Sequence, residues 1–314
     1  AKLDLLTPQE TDLIRIGAAL GGGGFTSEDI ALVHAQSSGT TEWERTLERL
    51  VDYQWLVAEE SSESDSTEWD NTLSKSIRYH FTHQPARGAV LAVILPRVLQ
   101  EVHRSIALAF DIDVGQADFD TAQFLLYHWL RADDGEAASP FALRIGTTQA
   151  GDGFSGAAIR TYRSVLTQLD PGFDVMKVDV DLVGKNRPTP SVGSTRIDSV
   201  LRLMVELGKC LADVRETALS ATAYVRAVHH VQALPKGTNW IRDRAGTIFP
   251  IYSGLLLALK WEEIPDNDQR EEEQRIVSQF LDETKRHGDP THICRALAML
   301  GNLLGQICRW NAAL

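Results

Sequence analysis

The sequence predicts a mainly α protein in two parts. A small unit of three helices closed by a two-stranded hairpin comes first, followed by a long series of antiparallel helical hairpins. Three observations carry this. Apolar residues recur at helical spacing through the first fifty positions. Two short runs before Pro85 have strand character. From Phe119 onward the spacing is helical almost throughout, broken by short turns.

Thr7-Pro8-Gln9-Glu10 opens the first helix: Thr caps, Pro suits the first turn, and Glu10 stands three residues after the cap. Leu13, Ile14, Ile16 and Leu20 supply its apolar face, and the run Gly21 to Gly24 ends it. Thr26 or Ser27 caps a short second helix through Ile30 and Val33. Thr40-Thr41-Glu42 opens a third, with Trp43, Leu47, Leu50 and Val51 on one stripe. Gln54 to Val57 and Ile77 to His83 read as the two strands, with a polar stretch between them. Three helices and a two-stranded wing describe a winged helix over residues 1–85. Residues 86–118 read as a linker helix, with Val90, Ile94, Val98, Val102 and Ile106 in phase and Pro96 as a kink. Residues 119–314 read as paired helices near 119–132, 136–150, 154–169, 196–212, 215–234, 241–261, 270–287 and 291–305. A loop is inserted over 171–194, where Phe173 to Val183 alternates apolar and acidic residues.

Composition excludes several functions. Lys+Arg 31 against Asp+Glu 43 gives a net charge of −12, opposite to what a polyanion binder needs. Through Pro85 there are six basic and fifteen acidic residues, and the presumed recognition helix carries Glu42, Glu44, Glu48 and Asp52 against Arg45 and Arg49. Such a helix would repel backbone phosphates, so the wing unit reads as a protein-protein element. Three cysteines fit a reduced, cytoplasmic chain better than a disulfide scaffold. Cys210, Cys294 and Cys308 lie on apolar stripes as buried thiols. No run reaches the length of a membrane span. The first and last residues read as cuts in a longer protein.

Phe154-Ser-Gly-Ala157, Asp213 to Ala218 and Arg309 to Leu314 share a signature of a large residue, then a small one, then a helical stripe. With helix pairs spaced at about 34 residues, this reads as a tetratricopeptide-like solenoid. An irregular helical bundle is the alternative reading.

Arg78-Tyr79-His80-Phe81-Thr82-His83-Gln84-Pro85-Ala86-Arg87 resembles the end of the winged-helix domain in STAND-class signal-transduction NTPases. These include bacterial transcription activators of the maltose-regulon type and relatives of immune receptors. Val102-His103-Arg104-Ser105-Ile106-Ala107 is similar to that family's linker helix, and Tyr127-His128-Trp129-Leu130-Arg131 to its first repeat helix. The resemblance implies that a nucleotide-binding domain, absent from this chain, precedes Ala1. It implies that His83 contacts the phosphates of ADP in the intact protein, with Phe81 and Arg87 as its motif neighbours. It also implies that the repeats bind a protein or small-molecule ligand. The chain itself has no Gly-x-x-x-x-Gly-Lys-Ser/Thr loop: Gly184-Lys185 is followed by Asn186, and Asp179 stands where the loop would begin. No cofactor is therefore assigned to this chain alone.

Other chemistry finds little support. The pairs His80 with His83 and His229 with His230, and the group His287, His292 and Cys294, lack zinc spacing. Asp111, Asp113, Asp118 and Asp120 lack the Gly and Glu of a calcium loop and read as helix caps. No nucleophile with a placed His and acid stands out, so the chain does not read as an enzyme. His83 has a second reading, a strand-end residue packed under the following helix. Two alternatives to a sensor and relay stay open: a stand-alone adaptor, and a DNA-binding transcriptional regulator.

Overall fold

A computed structural model describes residues 3–21, 23–37, 43–60, 77–172, 197–232 and 244–259, with isolated residues at 278, 279, 282, 297 and 298. Among them are eleven α-helices and one three-stranded sheet, so the protein is mainly α. The chain forms two compact units, Ala1–Asp134 and Gly135–Leu314. The first includes the helix that starts at Phe119, which its pattern had grouped with the repeats.

In the first unit, a 3-10 turn (Leu3–Leu5) leads into α1 (Pro8–Leu20). The capping box read from the sequence is formed: the Thr7 N–H donates to Glu10 Oε2 at 2.7 Å, and the Glu10 N–H donates to Thr7 Oγ1. Thr26 and Asp29 repeat the device at the start of α2 (Ser27–Ser37). Helix α3 spans Trp43–Asp52. Strands β2 (Leu56–Glu60) and β3 (Ile77–Phe81) form the expected hairpin, both antiparallel, with Val57 opposite His80 and Ala58 opposite Tyr79. A third strand, β1 (Phe25–Thr26), pairs with β3 on its other side, giving the order β1-β3-β2. Two residues are too few for a period-2 signal, which is why the strand was not visible in the sequence.

The linker helix differs from expectation. It is two helices, α4 (Gln84–Val93) and α5 (Pro96–Ala109), parted at Ile94 and Leu95, both in extended backbone. Pro96 stands at the first turn of α5, and a residue before proline is driven out of the helical region, so the proline starts a helix here and does not kink one. The final helix of the unit, α6 (Phe119–Arg131), is capped by Asp118, whose carboxylate accepts the Thr121 N–H at 2.7 Å. Asp113 accepts the Gly115 N–H in the turn before it. Of the four aspartates of this stretch, Asp118 thus caps a helix and Asp113 closes a turn. Leu13, Ile14, Phe25, Ile30, Leu47, Leu50, Leu56 and Ile106 form one buried cluster, each contributing about 2 kcal/mol by leaving water.

The second unit holds α7 (Gly135–Gly151), α8 (Ser155–Leu169), α9 (Ile197–Asp213), α10 (Thr217–Gln232) and α11 (Arg244–Leu259). Neighbouring helices in this order pack on one another. Pro140 lies inside α7. It cannot donate to the carbonyl of Glu136, and the Ser139 hydroxyl takes that acceptor instead at 2.9 Å. Two hairpins are built alike. A Cβ on Gly146 of α7 would collide with the Tyr162 ring of α8, and one on Gly208 of α9 would collide with the Tyr224 ring of α10. Glycine and tyrosine are sixteen residues apart both times. The turns match as well: Phe154 N–H donates to Gln149 O and Glu216 N–H to Leu211 O, each after one left-handed residue, Gly153 or Arg215. Cys210 is buried on α9, which pushes its thiol up to about 11.

The inserted segment 171–194, apart from Pro171 and Gly172, lies outside the described residues. So do Cys294, Cys308 and His287, and nearly all of the helices read over 270–287 and 291–305. No described helix is long and apolar enough to cross a membrane.

Candidate functional site

The residues named from the sequence fall at the junction of β3 and α4. Tyr79, His80 and Phe81 end the strand, His83 precedes the helix, and Gln84 and Arg87 occupy its first turns. Strand alternation and helical rise bring some of these together and separate others. A cavity of about 60 Å³ is lined by Gly21 and Gly24 from the turn after α1, by Tyr79, His80 and Phe81, and by Gln84 and Arg87. Phe81 and Arg87 therefore share one site. His83 is not among its walls: it is exposed, it is the N-cap residue of α4, and its side chain makes no capping bond. Its exposure does not fit the alternative reading of His83 as a residue packed under the following helix.

Arg87 is half-buried, and its Nε donates to the carbonyl oxygen of Ala18, 2.8 Å away, near the C-terminus of α1. This satisfies a carbonyl that the helix end leaves without an intrahelical partner and fixes the guanidinium beside the cavity. His80 stands over Gly24, whose φ of 84° suits glycine, and a Cβ there would occupy the imidazole's place. His80 also lies 3.5 Å from Glu59 on the neighbouring strand. Among the described residues, the walls contain a cation and an imidazole and no carboxylate. In a chain this acidic, that lining suits a small anionic or hydrogen-bond-accepting group.

Two further polar groups bring together residues that the sequence does not connect. In the first unit, His103 on α5 and His128 on α6 face each other with Nδ1 atoms 3.0 Å apart. They are 2% and 0% exposed. Burial is the main reason that His103 is pushed down to about 4, helped by the positive charges of Arg131 and Arg87. Burial likewise pushes His128 down to about 3, helped by His103. Both residues stand inside the motifs that carry the resemblance, and nothing in the spacing of one motif shows that it touches the other.

In the second unit, Asp170 at the end of α8 receives Arg226 Nε and Nη2 at 2.9 Å each and lies 2.9 Å from His230 Nε2. Burial opposes the carboxylate's charge, but the hydrogen bonds from His230 and Arg226 outweigh it and hold Asp170 at about 2. Of the sequence pair His229 and His230, only His230 is in this group, and its partner is the carboxylate. Among the described residues, no three His, Cys, Asp or Glu side chains converge as metal ligands. The chain matches no protein-family model, no curated protein and no solved structure.

Proposed function

We propose that this chain is the sensor and relay portion of a STAND-class NTPase. Its helical hairpins bind a protein or small-molecule ligand, and its first unit, read as a winged helix, passes occupancy to a nucleotide-binding domain elsewhere in the polypeptide. One observation carries this reading. The second and third motifs quoted for the resemblance are separate in sequence, yet they touch within the unit that also holds the first. Phe81 and Arg87 line one cavity, and His103 of the second motif touches His128 of the third.

The matched Gly–Tyr notches of α7–α8 and α9–α10 support a tetratricopeptide-like reading, because a small residue facing a large one at fixed spacing sets how closely repeat helices approach. The three helices and small antiparallel sheet support the winged-helix reading. The exposed Glu44, Glu48 and Asp52 of α3 weigh against a DNA-reading role. The cavity, in this reading, takes over part of the phosphate contact first placed on His83, with Arg87 as its cation.

The test is nucleotide retention by the complete gene product. Expected is co-purifying ADP that is lost faster from Arg87→Ala and His83→Ala than from wild type. A product without bound nucleotide, or equal release from all three proteins, rejects the relay role and leaves the adaptor reading.

A further inference from the structure

The pair His103–His128 is not among the walls of the cavity. It is a direct polar link between α5 and α6, within an otherwise aromatic and aliphatic contact. Phe110 and Phe124 meet edge to face at 5.2 Å, Phe124 lies 4.4 Å from the His128 ring, and Tyr127 lies 5.7 Å from the His103 ring. Nε2 of His128 is buried and has no hydrogen-bond partner. A proton added to this pair would place a charge among rings with no acceptor waiting for it.

We propose that the His103–His128 pair makes the α5–α6 joint an acid-released latch, closed while both imidazoles are neutral and opened by proton uptake. The surroundings act in one direction. Helix α5 packs against α6, α2 and α1. From α6 the pair meets Tyr127 and Arg131, and from α4 it feels Arg87; both arginines disfavour a proton on His103. On α2 and α1, His34 and Asp12 act on each other. Arg104, the neighbour of His103 on α5, is engaged with Asp134 at 3.4 Å.

The sign follows from linkage. Both imidazoles are depressed in the closed joint and return to about 6.5 when it opens. Below that pH the open form binds more protons, so closure is favoured above 6.5 and weakens as pH falls. The weakening continues until the closed pair itself accepts protons near 4. Two imidazoles titrating only in the open form shift the opening equilibrium about 100-fold between pH 7.5 and 5.5.

Amide hydrogen exchange on the whole chain, corrected for the intrinsic pH dependence of exchange, tests this. Expected is a loss of protection of up to about 100-fold across α5 and α6 from pH 7.5 to 5.5, larger than that in α9, and abolished in the double variant His103→Leu, His128→Leu. Equal losses in α9 and α5–α6, or an unchanged loss in the double variant, overturn the latch. If the double variant does not fold, ring NMR of the wild type decides. Both rings must stay neutral to pH 5, and a ring that titrates near 6.5 in the closed protein overturns the proposal.

Discussion

The ring of Tyr224 fills the space that a Cβ on Gly208 would need, and Gly254 of α11 approaches the same ring from the next helix. Tyr224 is 3% exposed, and its phenol is raised above its ordinary range, chiefly by burial. One side chain thereby sets the spacing of α9, α10 and α11. Gly208→Ala should cost about 1–3 kcal/mol by overpacking, and Gly146→Ala a similar amount against Tyr162. Gly156 of α8, where a Cβ would meet only Arg160 Nη1 at 4.0 Å, is the control: its change to Ala should be neutral or stabilising by up to about 1 kcal/mol. Urea denaturation of the three variants separates these outcomes.

The carboxylate of Asp170 ties α8 to α10 through a two-bond pair with Arg226. Asp170→Asn leaves a guanidinium 13% exposed and unneutralised. The expected loss is about 3 kcal/mol, read from the denaturation midpoint at neutral pH. Because Asp170 is depressed to about 2, its contribution is complete above the unfolded value of 3.8 and is lost as pH falls towards 2. The Asn variant should lack that part of the acid dependence. Parallel acid profiles for the two proteins would count against the assigned pair.

Arg215 closes α9 at a φ of 65°, a conformation that a side chain disfavours. Gly153 holds the matching place after α7. Arg215→Gly should therefore stabilise the protein by up to about 1 kcal/mol, seen as a higher thermal midpoint. A lower midpoint would mean that the arginine side chain contributes more than its backbone strain costs.

His128 should be the Nδ1–H tautomer, donating to His103 Nδ1. The opposite arrangement would bury an unpaired Nε2–H, whereas this one leaves only an unpaired lone pair, and orphaned donors are the rarer case. Long-range nitrogen–proton correlation at pH 7.5 distinguishes them. A protonated Nε2 on His128 would contradict the assignment.

Local signals in the sequence were reliable where one short stretch contains its own physics. Thr7 with Glu10 caps as read, and of Thr26 and Ser27, either of which could open α2, Thr26 is the cap, because a capping bond spans three residues. Helices α6 to α11 fall close to the ranges set by apolar spacing. Left-handed closure was legible only where glycine marks it. Gln54, Asp133 and Arg215 adopt positive φ with no such mark, held by the helix-end hydrogen bonds that each completes. The linker helix was overextended because apolar periodicity runs through Ile94 and Leu95 unbroken, while Pro96 cuts the backbone. The candidate site was half legible. Phe81 and Arg87 were named, but the cavity also needs Gly21 and Gly24, more than fifty positions earlier.

The sequence by itself determined the helical class, the caps, the net negative charge and the strand character of β2 and β3, since each is set by composition or by neighbours within a few residues. Tertiary structure alone decided that Arg87 reaches Ala18, that His103 meets His128 and that Asp170 gathers Arg226 and His230. These contacts join positions 25 to 69 residues apart. No periodicity encodes them, because they arise only after burial has removed water as the competing hydrogen-bond partner.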